Sequence, residues 1–304
     1  MFTTVRSRRW SQLALVVALA TFLVLIVAAC GSSSDGSASP QPQVQADQLI
    51  VATTTSLNDS GLLEDVILPA YKEMFPNVTV KVVAVGSGEA IAMGAKGEAD
   101  VLMVHSPDDE AQFMADGNGT LRLPFAYNYF VVVGPKDDPA RVAETKDATA
   151  AFTAIADSGS TFVSRGDESG TNKKELKIWE SAGITPEGDW YISTGQGMGE
   201  TLRIASEKQG YTLTDLGTFL SQQDTLDLAV LSKETEDLKN IYDVIIVNQN
   251  KFPTVNAAAA EQMAQVLVSP AGQKAIGAYG VDKYGKQLFT PFAGALGSEE
   301  YATP

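Results

Sequence analysis

The chain is poor in the two side chains that most often build metal centres and nucleophilic active sites. It contains one cysteine, Cys30, and one histidine, His105, among 304 residues. A single cysteine excludes an internal disulfide and a multi-thiolate metal site. Because the chain has no Gly-x-Ser-x-Gly nucleophile motif, a serine hydrolase is not favoured. We predict no catalytic residue, no cation site and no cofactor, and we interpret His105 as a hydrogen-bonded structural residue.

Positive charge is also scarce. The 22 lysines and arginines are outnumbered by 37 aspartates and glutamates, which gives a formal net charge of −15 at pH 7. Nucleic acid, whose phosphates attract basic surfaces, is therefore not an expected partner. A small anionic ligand stays possible, because charges more than about 8 Å apart are largely screened at physiological salt. Whether the chain binds such an anion therefore depends on the residues of the local site.

Long apolar runs are absent except at the start, where three arginines precede the run Leu13–Ala29. This layout predicts a signal peptide over residues 1–29, and a retained membrane anchor is the alternative. The end of the run, Val27-Ala28-Ala29-Cys30-Gly31, resembles the bacterial lipobox, which implies that Cys30 is lipidated. Residues 30–48 are rich in Ser, Gly, Pro and Gln and predict a flexible tether. We expect an exported protein, held by Cys30 at the outer face of the cytoplasmic membrane or in the periplasm.

The rest of the chain alternates strand-like and helix-like segments, which predicts α/β layers. Its length favours two lobes over one core, with lobe 1 at 49–131 and 245–304 and lobe 2 at 132–244. The predicted strands are Leu49–Ala52, Val78–Val85, Val101–Val104, Phe130–Val133, Thr161–Ser164 and Val244–Val247. The predicted helices are Leu62–Phe75, Glu89–Lys96, Lys173–Ser181, Glu200–Gln209 and Ala257–Leu267.

Hydroxyl and glycine residues cluster at the junctions between predicted strands and helices. Thr53-Thr54-Thr55-Ser56 follows the first strand, and Gly86-Ser87-Gly88 follows the second. Helix N-termini offer unpaired N–H groups and a positive dipole end, so such junctions suit anions. Ordinary helix capping, which needs one hydroxyl, and a plain turn are the alternatives.

The densest polar stretch, Ser164–Lys173, lies at another such junction. Its permanent charge, Arg165, is accompanied by hydroxyls at Ser169 and Thr171, so a full positive charge and neutral donors are expected to converge on a dianion. We assign Asp167 to holding Arg165 by a salt bridge rather than to touching the ligand. A further glycine-rich helix entrance, Gly197–Arg203, contributes Arg203 as a secondary candidate.

Taken together and in order, these motifs resemble the tungstate-binding proteins of ABC transporters. The resemblance covers about Val51 to Val247 and rests on the following stretches: Thr53–Ser56, Asp59–Leu63, Gly86–Gly88, Asp100–Pro107, Ser164–Thr171 and Met198–Leu202. It implies a type II periplasmic-binding-protein fold, with two lobes, each a mixed sheet flanked by helices, joined by two crossing strands. It also implies a tetrahedral oxyanion ligand, tungstate or molybdate, and a membrane permease with its ATPase as partners. No oligomer signal is visible, and we expect a monomer.

Carried over motif by motif, the resemblance implies a set of anion-binding residues: Thr55, Ser56, Ser87, Arg165, Ser169 and Thr171. Thr54, Gly88 and Arg203 are the secondary candidates. The Arg-x-Asp-x-Ser-Gly-Thr spelling of residues 165–171 is also similar to phosphate-binding proteins, so phosphate is the alternative ligand. A phosphate-ester hydrolase and an adhesion module using Arg165-Gly166-Asp167 are the alternatives from other classes.

Overall fold

The structure is a computed structural model that describes residues 47–293. The predicted signal peptide (1–29), Cys30 and the tether (30–48) up to residue 46 lie outside the described residues. The first strand begins at Gln48, the last residue of the predicted tether, because its backbone pairs with Thr79. Within 47–293, no helix combines the length and the apolar composition needed to cross a membrane.

Ten strands occur in the described part of the chain. They are β1 (Gln48–Thr54), β2 (Thr79–Val85), β3 (Val101–Val104), β4 (Gly119–Gly134), β5 (Phe162–Ser164), β6 (Tyr191–Ser193), β7 (Thr212–Asp215), β8 (Ala229–Val230), β9 (Lys239–Val247) and β10 (Thr290–Pro291).

Eleven α-helices lie between and after these strands in the same described residues. They are α1 (Thr55–Asp59), α2 (Leu68–Met74), α3 (Ser87–Gly94), α4 (Pro107–Ala115), α5 (Ala148–Ser158), α6 (Gly170–Ser181), α7 (Met198–Lys208), α8 (Leu216–Gln222), α9 (Ala257–Val268), α10 (Pro270–Ala278) and α11 (Val281–Tyr284). A π-helical turn, Leu63–Ile67, leads into α2. Short 3₁₀ turns cover Val142–Glu144, Gln223–Thr225 and Glu236–Leu238.

The main sheet has the strand order β10-β4-β9-β3-β1-β2. Strands β1, β2 and β3 run parallel, whereas β9 is antiparallel to both β3 and β4. Strand β4 pairs with β9 up to Tyr129, and from Phe130 onward it pairs with β7 instead. The long strand β4 therefore connects two parts of the molecule, which we call the first lobe (around β1, β2 and β3) and the second lobe (around β5, β6 and β7).

The first lobe is a sheet with helices on both faces. Val101 and Met103 of β3 enter one apolar cluster with α2 and α9, while Leu102 and Val104 enter another with α3 and α4. Successive strand side chains point to opposite faces, so a strand buried on both faces reads as a continuous apolar run. The uninterrupted apolar sequence of β3 therefore fits a strand that is covered by helices on both faces.

The second lobe repeats this arrangement on a smaller scale. Phe130 and Val132 of β4 pack with α5 and α6 around Trp179, and Val131 and Val133 pack with α7 and α8. Strands β5 and β6 pair in parallel, and a bridge from Phe162 to Tyr211 brings them beside β7. In both lobes, strands lead directly into helices at one edge of the sheet. Ligands of open α/β sheets bind at such carboxyl ends.

Candidate functional site

Four helix N-termini meet where the two lobes face each other. Helices α1 and α3 belong to the first lobe, and α6 and α7 belong to the second. Thr54 caps α1 by accepting a hydrogen bond from the Leu57 N–H, and Ser169 caps α6 by accepting one from the Asn172 N–H. Gly86 and Gly197 begin α3 and α7 without a side-chain cap. The positive ends of two helix dipoles from each lobe are thus directed toward one region.

Glycine allows the lobes to approach closely at this region. A Cβ atom at Gly86 would lie 3.2 Å from the Ser169 Cβ across the cleft. A Cβ atom at Gly170 would lie 2.7 Å from the His105 carbonyl oxygen, closer than real Cβ contacts allow. The first turn of α6 therefore contacts both the β2–α3 and the β3–α4 junctions. Thr55 lies similarly close to Gly197, at 3.4 Å from its hypothetical Cβ.

Arg165 carries the positive charge of this region and is almost completely buried, with 2% of its side chain exposed. Its Nη2 donates to Asp167 Oδ2 at 2.5 Å and to Thr55 Oγ1, in the other lobe, at 3.2 Å. Asp167 also accepts from the Ser169 N–H through Oδ1. The Nε of Arg165 is buried and has no hydrogen-bond partner among residues 47–293. The guanidinium is held by one carboxylate and keeps a donor for another acceptor.

Three predicted hydroxyls from the two lobes keep a proton to donate. Ser87 Oγ accepts from the His105 N–H at 3.3 Å, and Ser169 Oγ accepts from the Asn172 N–H at 3.2 Å. Thr171 Oγ1 is buried without any partner. Each hydroxyl has one donor in addition to its acceptor lone pairs. The structure therefore places Ser169 and Thr171 at the start of α6, against the first-lobe junctions that carry Ser87 and His105, and it joins Arg165 to Thr55.

The Ser56 hydroxyl is more fully occupied. It lies 3.0 Å from Thr54 Oγ1 and 3.0 Å from His105 Nε2, and it accepts from the Tyr242 O–H at 3.5 Å. Ser56 is fully buried. Its proton goes to His105 or to a ligand according to which imidazole nitrogen is protonated. Ser56 and Thr54 thus combine capping and support of α1 with their predicted place near the ligand.

The other secondary candidates differ in position. Gly88 lies against the second lobe, since a Cβ there would be 3.3 Å from the Glu168 carbonyl oxygen. Arg203 projects from α7 with 61% of its side chain exposed and pairs with Glu200. The structure therefore does not bring Arg203 into the cluster around Arg165, because a full turn of α7 separates it from the N-terminus at Met198.

His105 connects the two first-lobe junctions. Its Nε2 lies beside Ser56 Oγ, its backbone N–H donates to Ser87, and its Nδ1 has no hydrogen-bond partner. Burial, and next the charge of Arg165, lower its pKa from 6.5 to about 3, with a smaller opposing effect of Asn240. His105 is therefore neutral at physiological pH. Its closeness to the cluster was indicated only by its position directly after β3, at the same sheet edge as Thr55 and Ser87.

Ion pairs also join the lobes on one side of the cleft. Lys173 of α6 pairs with Asp109 of α4, and one turn further Lys177 pairs with Asp108. Burial acts to raise the pKa of Asp109, but the hydrogen bonds from Lys173 and Ser106 lower it overall. Sequence reasoning missed these pairs, because helix α4 was not predicted and nothing in a linear sequence places it opposite α6.

The described residues 47–293 contain no cluster of three or more His, Cys, Asp or Glu side chains arranged to hold a metal ion. The polar groups that converge in the cleft are mainly donors: a guanidinium, hydroxyls and helix N-termini. Such a site is suited to an anion that accepts hydrogen bonds at every oxygen.

Comparison with known proteins agrees with this geometry. Residues 33–271 match the family model described as a PBP superfamily domain. The tungstate-binding protein TupA of Peptoclostridium acidaminophilum is 43% identical over 284 residues, covering 91% of this chain and 97% of that protein. The chain belongs to the tungstate-binding protein family.

Solved structures of this tungstate-binding protein family support the same assignment. The tungstate ABC transporter structure from Geobacter sulfurreducens is 44% identical, covers 77% of this chain and 99% of its own, and has a TM-score of 0.71. The tungstate binding protein TupA from Desulfovibrio alaskensis is 39% identical, covers 82% and 100%, and has a TM-score of 0.67. The predicted fold class, a two-lobed type II periplasmic-binding-protein fold, is confirmed, as is the resemblance.

The neutral state of His105 predicts an acid-sensitive fold. Below its ordinary pKa of 6.5 the unfolded chain takes up a proton, whereas the folded chain resists until its pKa of about 3. The contribution of neutral His105 to the free energy of unfolding is therefore complete above pH 6.5, and it declines as the pH falls from 6.5 toward 3. Between pH 7.5 and 5, the free energy of unfolding should fall by about 2 kcal/mol more than in His105→Asn. Denaturant unfolding at both pH values measures this difference, and an equal fall in both proteins would contradict it.

Proposed function

We propose that this chain is the solute-binding component of an ABC transporter and captures tungstate between its two lobes as a monomer. The observation that carries the proposal is the buried Arg165, whose Nε has no hydrogen-bond partner among the described residues. The hydroxyl of Thr171, in the first turn of α6, is likewise buried and unpaired within that part of the chain. Leaving buried donors unpaired costs about 1–3 kcal/mol each, and an acceptor-only ligand removes that cost. The relatives named as tungstate-binding proteins support the choice of ligand.

The donor inventory favours a fully deprotonated dianion over phosphate. Tungstate and molybdate accept hydrogen bonds and donate none at neutral pH, whereas phosphate retains a proton and profits from a carboxylate acceptor. The nearest carboxylate, Asp167, already accepts from Arg165 through one oxygen and from the Ser169 N–H through the other. We propose Arg165, Thr55, Ser87, Ser169 and Thr171 as the donors to the anion. Ser56 joins them when its proton is not given to His105.

The geometry does not favour a hydrolase, although Ser56 and His105 form a hydrogen-bonded pair. A general base needs a pKa near the working pH, and burial lowers that of His105 to about 3. No carboxylate orients the ring, because Nδ1 has no partner. The pair is better explained as support for α1 beside the anion.

Capture proceeds by closure of the lobes around the anion, and the closed form is what the permease and ATPase would recognise. We propose that the lobes divide between 129 and 130 and between 238 and 239. The pairing of β4 changes at the first point, and β9 begins after the second. These points shift the expected boundaries at 131/132 and 244/245 by a few residues.

Isothermal titration tests the ligand and the site together. The chain from Ser32 onward is titrated with tungstate, molybdate, sulfate and phosphate, and Arg165→Ala is titrated in the same way. We expect one-to-one tungstate binding that weakens by at least about 30-fold in the variant, since removing a buried hydrogen-bonded charge costs roughly 2–5 kcal/mol.

The matched control for this titration is Arg203→Ala, which removes an exposed arginine from the same lobe. Its tungstate affinity should equal that of the unchanged chain. Heat with phosphate alone would move the protein to the phosphate-binding class and make Asp167 the discriminating residue. No heat with any of the four anions would contradict the proposed function.

The ion pairs between α4 and α6 form only when the lobes are together, so they should stabilise the closed form. A double-mutant cycle with Asp109→Asn and Lys173→Gln measures this effect on tungstate affinity. We expect each single variant to bind about two- to fivefold more weakly, with the second change adding little once the first is made. The loss should also shrink as salt is raised.

The control for the cycle is Lys136→Gln, which breaks a more exposed ion pair, with Asp227, inside the second lobe. That variant should leave tungstate affinity unchanged. Additive effects of Asp109→Asn and Lys173→Gln would mean that the pair does not act as a unit in the closed form.

We further propose that the chain is exported and anchored through a lipid on Cys30. The observations behind this are the apolar run before Cys30 and its lipobox-like ending. In a bacterial host, Cys30→Ser should move the protein from the membrane fraction to the soluble exported fraction, because the anchoring chain is lost. Fractionation and immunoblotting measure this, with Ser32→Ala as the control. A Cys30→Ser protein that stays in the membrane fraction would favour a retained apolar anchor.

A further inference from the structure

A second cavity lies between the lobes, beside the proposed oxyanion site. It has a volume of about 370 Å³, and its walls come from α4, α6 and the crossing strands β4 and β9. None of the proposed anion donors around Arg165 lines it. Its size falls within the range of small-molecule sites, roughly 300–1,000 Å³.

The walls of this cavity combine apolar surface with an excess of positive charge. Pro107, Phe130, Leu176 and Ile241 supply the apolar part. The wall residues also include four lysines and two aspartates, and the aspartates are paired with two of the lysines: Lys173, Lys174, Lys177 and Lys239 against Asp108 and Asp109. The other two lysines, Lys174 and Lys239, have no aspartate partner on the walls.

Lys174 is the wall lysine best placed to hold a ligand. Among the described residues, no carboxylate lies within ion-pair distance of its ammonium, and Asp237 acts on it only from farther away. Partial burial lowers its pKa below the ordinary value. Lys239, by contrast, is occupied by Glu236 and by the rings of Tyr127 and Phe292.

The His105 ring also forms part of the cavity wall, with its Nδ1 buried against the second lobe. His105 lines the cavity, is 4% exposed, and its Nδ1 has no hydrogen-bond partner. The Nδ1 edge of the ring lies against Gly170, another wall residue, since a Cβ there would be 2.9 Å from Nδ1. His105 therefore supplies wall surface, and Lys174 is the charged group with which a ligand in the cavity would pair.

We infer that this cavity binds a small organic monocarboxylate with an apolar body. The carboxylate pairs with Lys174, while the apolar body packs on Phe130, Leu176 and Ile241. Because α4 and α6 belong to different lobes, the cavity is complete only when the lobes are together. This inference rests on the proposed closure of the lobes. Because the organic ligand and tungstate both favour the closed form, each should strengthen binding of the other.

Benzoate serves as the probe. The processed protein, extracted from membranes in non-ionic detergent, is studied by saturation-transfer NMR with benzoate, neutral benzyl alcohol and cationic benzylamine. We expect binding of benzoate in preference to the other two, and about fivefold tighter binding when tungstate is present. Titration of tungstate in the same sample shows separately whether the proposed function holds.

Two variants locate the probe. Ile241→Trp fills the cavity and should abolish benzoate binding, while Lys174→Gln should remove the preference for benzoate over benzyl alcohol. Both variants should keep tungstate affinity in the absence of benzoate, since neither residue is among the proposed donors. Benzoate binding that survives Ile241→Trp, or that is equal with and without tungstate, would overturn the inference. If the unchanged protein does not bind tungstate, the proposed function is contradicted instead.

Discussion

A buried guanidinium is the constraint on which the arrangement of the two lobes depends. Arg165 cannot lose its charge, so its burial requires partners that stay in place. Asp167 supplies the counter-charge from its own loop, and Thr55 supplies an acceptor from the opposite lobe. The turn at Gly166, with φ of +59°, lies directly against Ser193, so that a Cβ atom at Gly166 would overlap the Ser193 side chain. Moving the lobes apart removes Thr55 and exposes the charge to water.

A second set of buried polar groups fixes the place where the chain crosses between the lobes. Asn240 of β9 donates to Asn128 of β4, and Asn128 donates to Asp215 at the start of α8. Burial raises the pKa of Asp215 to about 6, against hydrogen bonds from Thr218 that favour its charged form. Thr218 also donates to the Ser56 carbonyl oxygen. The crossing strands, α8 and α1 are therefore joined by one network, and the position of the first-lobe hydroxyls depends on it.

Much of the fold was predictable because its strands are buried on both faces and read as unbroken apolar runs. The predicted segment Val101–Val104 coincides with β3, and Lys173–Ser181 lies within α6. Strand β4 was predicted only over Phe130–Val133. Proline lacks an N–H to donate, so Pro124 argues against a central strand. Pairing with β9 across bulges nevertheless holds the segment around Pro124 in the sheet. Helix α5 was also missed, although its buried residues, Ala148, Ala151, Phe152 and Ile155, recur at helical spacing.

The candidate site was predictable as far as local chemistry reaches. Each strand-to-helix junction with hydroxyls or glycine was visible in the sequence, and the structure brings those at Thr55, Ser87 and Arg165 together. What the sequence did not indicate was which groups are already paired. The hydrogen bond between His105 and Ser56 and the exposure of Arg203 depend on how segments far apart in the chain pack together.

The absence of side chains at Gly86 and Gly170 has a consequence for how such a protein changes over time. At Gly170 the space for a methyl group is taken by the opposite lobe, and at Gly86 a methyl group would contact Ser169 of the opposite lobe tightly. Any larger residue there acts as a wedge: it touches no ligand, yet it holds the lobes apart and lowers affinity for every anion alike. Substitutions at the hydroxyl positions can change which anion binds best. The two glycines instead limit how tightly any anion can be bound.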